Sequence, residues 1–345
     1  MIRLLDGKVH SLKNYVALAR KLWHPKCRIA YLLGTPTHVN IGDSAIVIAE
    51  KRFLIDCGYN EVVEITAMEY QESRKRICRL MPKSANIFLN GGGNMGSLWP
   101  VEEQWRRDII EDFSQHNIVV FPQTIYYSDN EESKELMATS GLIYDNKPKL
   151  TVVAREEQSY KMLKHLYSHL NVLLTPDIVL NLGQQNFELQ REGILICFRS
   201  DKERKVDVND EERLIQTLKR NGYEVKQSDT MSEVEISIEN REEIFNKKLR
   251  EFAGARLVIT DRLHGMVFAA ITGTSCIVLG NNHHKVSGTY EWLKELDYIE
   301  YVSTIGEVKT HFDRLYNKEN NIFSMDNALF TPLSDVICNM HNRGK

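Results

Sequence analysis

Short apolar runs, rich in β-branched residues, alternate along this chain with stretches of helical character. "RIAYLLG" is a strand ending at Gly34, and "SAIVIAEKRFLIDCG" is a helix ending at Gly58. "EVVEIT", "ANIFLNGGG", "IVVFPQT" and "LTVVAR" are strands, with "WPVEEQWRRDIIEDFSQHN" and "EEQSYKMLKHLYSHL" as helices, and "NVLLTPDIVL" closes the first half. Such alternation is the signature of a parallel, doubly wound sheet. The polar stretch "NLGQQNFELQREG" breaks the pattern, which then restarts. "GILICFR", "YEVKQSDT", "RLVIT" and "SCIVLG" are strands; "DVNDEERLIQTLKRNG", "EEIFNKKLREFAGA" and "HGMVFAAITG" are helices, and the tail from "YEWLKEL" on is expected to be mostly helical. Asn209 or Asp210 is the expected cap of the helix at "DVNDEERL". The expectation is an α/β protein of two doubly wound, Rossmann-like domains facing a cleft. Residues 1–183 form the N-terminal domain and residues 192–345 the C-terminal one, with the last helix free to pack back on the first. In such sheets ligands bind beyond the carboxyl ends of the strands.

The chain's 345 residues suffice for two domains, and 42% apolar with 26% charged residues is a globular balance. A formal net charge of −3 gives no field for nucleic acid, so any anion must be held by local cations. The six cysteines, Cys27, Cys57, Cys78, Cys197, Cys276 and Cys338, contain no C-x-x-C pair and read as reduced, buried thiols. No secretory leader pattern and no membrane-spanning run is found, which points to the cytoplasm. The basic, amphipathic "LKNYVALARKLWHPKCR" with Trp23 has two readings: a helix packed on its own domain, or one lying on the inner face of the membrane.

The candidate site residues sit where strands stop. "GGGNMG", from Gly91 to Gly96, fits G-x-G-x-x-G after a strand, but the next strand ends in Phe-Pro-Gln, with Gln123, instead of a ribose-binding acid. Gly91, Gly92, Gly93 and Asn94 then form either a tight turn or a loop whose N–H groups approach an anion or sugar. In "THVNIGDSAI", Asp43 or Ser44 can cap the next helix; Asn40 and Asp43, around Gly42, can also bind sugar hydroxyls. Arg155 closes the strand "LTVVAR" and either pairs with Glu156, Glu157 or Asp177 or grips an anion. Arg199 ends "ILICFR" in the same way, but "SDKERK" follows, so a solvated loop is expected there.

The densest cluster is "TDRLHGMVFAAITGTSCIVLGNNHHKVSG". Strand, helix and second strand make a compact β-α-β unit. Arg262 and His264 lie at the end of the first strand; His283, His284 and Lys285 lie beyond the second. Adjacent parallel strands bring these ends together, and Gly265 would let a ligand approach the helix N-terminus. A lone histidine here would be a cap or a core hydrogen bond, but three cationic or titratable groups at one edge favour a site. Zinc fits poorly, because two consecutive histidines lack a third ligand at suitable spacing.

The motifs "NIGDSAI", "GGGNMG", "FPQTIYY", "VVAREEQSY", "LLTPDIVL" and above all "VITDRLHGMVFAAITGTSCIVLGNNHHKVSG" resemble the polysaccharide pyruvyl transferase family, in its order, from about Thr35 to Gly288. The resemblance implies a GT-B-like fold. It implies transfer of the enolpyruvyl carbon of phosphoenolpyruvate to two hydroxyls of a hexose in bacterial exopolysaccharide or capsule, giving a pyruvate ketal. The acceptor it implies is a hexose-containing glycan or glycolipid, galactose by default and undecaprenyl-linked in some members. On this reading Arg155, Arg262 and Lys285 hold the donor's anions and His264 is the general acid. Asp43 is the candidate base. Asn40, Gly42, the glycine loop, Gln123, Gly265, His283 and His284 line the substrates, and no metal or organic cofactor is needed. The alternatives are a glycosyltransferase using a nucleotide sugar and a non-catalytic carbohydrate-binding protein of the assembly complex.

Overall fold

The structure, a computed structural model, describes residues 15–22, 28–199, 204, 206–280 and 284–342. Trp23, Cys27 and His283 lie outside the described residues, so their expected roles are not placed.

The first half runs β1 (Ile29–Thr35), α1 (Ile41–Asp56), β2 (Glu61–Thr66), α2 (Ala67–Leu80), β3 (Asn86–Leu89), β4 (Gly92–Gly96), α3 (Pro100–Asp112), β5 (Asn117–Tyr126), α4 (Glu131–Tyr144), β6 (Leu150–Ala154), α5 (Glu157–Leu166) and β7 (Asn171–Leu174), then a 3-10 turn (Ile178–Leu182). Its strands are parallel in the order β2-β1-β3-β5-β6-β7, with β4 also beside β5. The second half runs β8 (Ile194–Cys197), α6 (Val208–Arg220), β9 (Val225–Gln227), α7 (Arg241–Ala253), β10 (Leu257–Thr260), α8 (Leu263–Ile271), β11 (Ser275–Leu279), α9 (Lys285–Tyr290), β12 (Ile299–Val302), α10 (Val308–Tyr316) and α11 (Thr331–Asn342). Its parallel order is β12-β11-β10-β8-β9.

Both strand orders reverse direction once. The switch points fall between β1 and β3 in the first sheet and between β8 and β10 in the second. Loops leaving neighbouring strands in opposite directions open a crevice there. The halves meet around that crevice through one apolar core, in which Ile46, Val47 and Phe53 of α1 join Leu249 of α7 and Val267 of α8. Backbone links add to it: Ile41 N–H donates to Thr230 O at 2.8 Å, and Ser232 N–H to Val39 O at 2.7 Å. The 3-10 turn Asn327–Phe330 that leads into α11 packs on α1 of the first half, with Phe330 against Phe53 at 6.1 Å between ring centroids. Residues 15–22 are helical, and Leu18 and Leu22 are buried in the core of the first sheet.

Several local expectations change. The glycine motif is not a loop: Gly92–Gly96 is itself a strand, paired with β5. Pro100 sits in the first turn of α3, where its missing N–H costs nothing. Asn40, not Asp43 or Ser44, caps α1, its side chain accepting from Gly42 N–H at 2.9 Å. Asp207, slightly earlier than expected, caps α6 through Asn209 N–H at 2.8 Å. In both cases the residue just outside the helix has the extended backbone a cap requires. Strand β12 interrupts the supposedly helical tail. The thiols are not uniformly buried, since Cys338 is exposed and Cys57 and Cys78 are half-buried.

Candidate functional site

The ends of adjacent strands deliver the site. Thr260 of β10 is in register with Cys197 of β8 and Val278 of β11. Arg199, Arg262 and Lys285 therefore follow three neighbouring strands on one edge. Across the crevice, Arg155 follows β6, and Asp177 follows its neighbour β7.

Asp177 is the hub on that side. It is 1% exposed, and its Oδ2 accepts from Arg155 Nη1 at 2.8 Å, while its Oδ1 accepts from Val179 N–H at 3.0 Å. The same Oδ2 lies 3.7 Å from His264 Nε2 of the other half. That separation is a charge contact, too long for a hydrogen bond. Burial pushes the Asp177 carboxyl up, but the imidazole of His264, the Arg155 guanidinium and the Val179 N–H outweigh it and hold it well below the usual carboxylate range. His264 Nε2 is buried and has no hydrogen-bond partner among the described residues. The imidazole is held from the other side by Gly42, where any Cβ would run into its ring.

Arg155 is fixed at three more points. Its Nε donates to Thr124 Oγ1 at 2.8 Å, its N–H to Gln123 O at 3.0 Å, and its carbonyl accepts from Trp292 Nε1 of the other half at 2.9 Å. Arg262 Nη2 pairs with Asp229 Oδ1 at 2.6 Å, and its N–H donates to Thr260 Oγ1 at 3.0 Å. Arg199 N–H donates to Asp261 Oδ1 at 2.8 Å, and burial pushes the Asp261 carboxyl up to about 6.

These residues surround a cavity of about 410 Å³, lined by the cationic Arg155, Arg199, Arg262 and Lys285 with His264, and by His38, Asn40, Asp43, Gly93 and Asn94. Four cations from two sheets meet there. Arg199 belongs to this wall and not to a solvated loop, because β8 ends at the switch point. A second cavity of about 210 Å³ adjoins it, floored by Leu33, Met68 and Trp105. His38, Asp43, Asn94 and Glu102 line both and form the neck between them.

The glycines have distinct tasks. A Cβ on Gly93 would lie 2.8 Å from Arg155 Nη2 and 3.2 Å from Lys285 Nζ, so only glycine lets the cations reach across β4. Gly91 is packed on the Pro122 carbonyl and donates its N–H to buried Glu50 at 2.6 Å. Gly92 has φ of 129°, a backbone that side chains disfavour. Gly265 does not open the helix end to a ligand, since its missing Cβ makes room for Thr260 Oγ1 beneath it. Gln123 is fully buried and braces the glycine strand by donating to Asn90 O at 2.9 Å. His284 pairs with buried Glu156 at 3.1 Å, which joins the two halves behind the cavity wall. Among the described residues no three His, Cys, Asp or Glu side chains cluster as a metal site would require.

Of the three partners the sequence offers Arg155, the structure selects Asp177. Glu102 and Trp105 have no marked role in the sequence pattern, since they lie in an ordinary amphipathic helix.

Two doubly wound, parallel α/β halves close on a cationic crevice. The chain belongs to the polysaccharide pyruvyl transferase family, whose model matches residues 40–283. It is 33% identical over 313 residues to General stress protein 30 of Bacillus subtilis, covering 89% of this chain and 91% of that protein. It is 32% identical over 268 residues to Pyruvyl transferase 1 of Schizosaccharomyces pombe, covering 73% and 66%. A functionally uncharacterised Klebsiella pneumoniae protein matches the fold with a TM-score of 0.54 at 18% identity, over 85% of this chain and 98% of its own. Family membership makes this an enzyme of pyruvyl transfer in polysaccharide biosynthesis. Among the described residues no helix is long and apolar enough to cross a membrane.

Proposed function

We propose that the enzyme moves the enolpyruvyl group of phosphoenolpyruvate onto two hydroxyls of a hexose, forming a cyclic ketal and releasing phosphate. The observation that carries this is the meeting of Arg155, Arg199, Arg262 and Lys285 on one cavity beside His264. Phosphoenolpyruvate presents a carboxylate and a phosphate a few ångströms apart, and guanidinium forks suit both.

The cations bind and orient the donor. His264, aligned by Asp177 and Gly42, gives a proton to the methylene carbon, so the central carbon becomes electrophilic. A sugar hydroxyl from the neighbouring cavity attacks it, with Asp43 taking the hydroxyl proton. Phosphate departs toward the arginines, and the second hydroxyl closes the ring. Trp105 suits the acceptor cavity as an apolar face for a sugar ring, and Asn40, which lines the donor cavity, is a polar group for the hydroxyls that reach it. A 4,6-ketal on galactose, free or lipid-linked, is the acceptor to try first, and no organic cofactor or metal enters these steps. Lipid linkage would bring the enzyme to the membrane surface.

The test is a donor and acceptor panel. Phosphate release from phosphoenolpyruvate that depends on a hexoside, with a methyl singlet of the ketal by NMR, is the expected result. Nucleoside diphosphate release from a nucleotide sugar, with none from phosphoenolpyruvate, would replace this reading by a glycosyltransferase.

A further inference from the structure

The neck between the two cavities holds two carboxylates, Asp43 and Glu102. They come from different helices: Asp43 from the first turn of α1, Glu102 from the first turn of α3. Asp43 is 3.5 Å from His38 Nε2 and borders the glycine strand, 3.9 Å from where a Gly92 Cβ would lie. That strand in turn touches Arg155 and Lys285 at Gly93, so Asp43 borders the segment on which the donor cations rest. The Glu102 side chain makes no hydrogen bond or ion pair among the described residues. Its neighbour Glu103 is the opposite case, buried and tied to Arg106 Nη1 at 2.5 Å, Ser140 Oγ at 2.8 Å and Tyr144 OH at 2.6 Å. Arg106 itself is committed to Glu103 and to Asn94 Oδ1. Within one helical turn, then, Glu103 is locked into the scaffold, and Glu102 just before it has no partner among the described residues where the two cavities join.

Ketal formation has a stoichiometry that a single base does not serve. Two C–O bonds form and two O–H bonds break. The methylene carbon gains one proton to become a methyl group. The C–O bond to phosphate breaks, and phosphate leaves with the bridging oxygen and, in net terms, the other proton. Two hydroxyls of one sugar must lose protons in sequence, from different directions about the same carbon.

We infer that Glu102 is the second base of the reaction, taking the proton of the hydroxyl that closes the ring, while Asp43 serves the hydroxyl that attacks first. This rests on the pyruvyl-transfer reading above and goes beyond it by dividing the two deprotonations between two residues. Without Glu102 the first addition and loss of phosphate still occur. The resulting oxocarbenium carbon, lacking its second nucleophile, either loses a methyl proton to give an enolpyruvyl ether or takes up water and releases pyruvate.

The experiment uses the full chain with Glu102→Gln, with phosphoenolpyruvate and the hexoside that supports phosphate release by the wild type. Phosphate, free pyruvate and NMR signals are followed together. The expected result is a drop in ketal of about 100-fold, with continued phosphate release and either vinyl protons in place of the methyl singlet or stoichiometric pyruvate. Asp43→Asn, in parallel, lowers phosphate release itself. Ketal formation by Glu102→Gln at the wild-type rate, or loss of phosphate release together with ketal, overturns the assignment. Absence of phosphate release in the wild type counts instead against pyruvyl transfer from phosphoenolpyruvate, so the two failures are distinct.

Discussion

Asp177 Oδ2 stands 3.7 Å from His264 Nε2 and 2.8 Å from Arg155 Nη1, so one buried carboxylate of the first half positions two candidate catalytic groups, one of them supplied by the second half. Asp177→Asn should therefore act on stability and chemistry at once. Removing the charge leaves Arg155, 2% exposed, without its buried anion, which costs about 3 kcal/mol. The loss should show as a lower denaturant midpoint. The low carboxyl pKa has a definite sign: this stabilisation is present above the ordinary carboxylate range and disappears as pH falls through the folded value. The stability gap between wild type and variant should thus close in acid. Turnover should fall by about 100-fold as the imidazole loses its alignment, and an unchanged rate would disconnect Asp177 from His264.

Gly42→Ala probes the same imidazole without touching any charge. The new methyl would occupy the space of the His264 ring. Either the ring rotates away or α1 shifts. A displacement of about 1 Å at a reacting group costs on the order of 100-fold in rate. The expected signature is a fall in kcat with little change in KM for phosphoenolpyruvate, because the arginines stay in place. His264→Ala should abolish transfer with the fold retained. If it remained fully active, the acid would have to be sought elsewhere.

The two halves are readable in the sequence because buried parallel strands leave long apolar runs ending in glycine or arginine. Arg155, Arg262, His264 and Lys285 are readable for the same reason, since each follows such a run. Helices α2 and α4 escape notice because they bury little: α2 hides Ala67, Tyr70 and Ile77, and α4 hides Ser133, Ser140 and Tyr144. Without a broad apolar stripe, helical periodicity is faint. Strand β4 is hidden by composition, as Gly92–Gly96 has one large apolar residue, Met95, and pairs only because β5 runs on past β3 to meet it. Glu102 is illegible for another reason. Its meaning lies in the junction of two cavities, and nothing local separates it from Glu103.

The space beside Gly265 is already taken by the Thr260 side chain. A Cβ there would run into Thr260 Oγ1, which is already engaged by Arg262 N–H and donates to Cys197 O at 2.6 Å. Gly265→Ala should destabilise the chain by about 1–3 kcal/mol through overpacking. The damage should reach catalysis by moving the start of α8, on which His264 is carried. Normal stability with weakened donor binding would instead restore the idea of a ligand seated against this glycine.

Asp261 supplies a pH-dependent prediction with the opposite sign to Asp177. It is 0% exposed, its Oδ1 accepts from Arg199 N–H, and burial holds its pKa up at about 6. A folded value above the unfolded one means the native state keeps its proton longer than the unfolded chain does. The associated stabilisation is complete below the unfolded value of about 3.9 and is lost as pH rises through the folded value. Asp261→Asn keeps an oxygen to accept the Arg199 N–H and removes the charge that burial penalises. Relative to wild type, the variant should gain about 3 kcal/mol of stability between about pH 3.5 and about pH 8, since each pH unit between the unfolded and folded values is worth about 1.4 kcal/mol. Paired denaturation curves across that range measure the difference directly, with the titration of other carboxylates cancelling. A constant difference would show that the folded and unfolded chains hold this proton equally, and that Arg199 and Arg262 offset the burial of the charge.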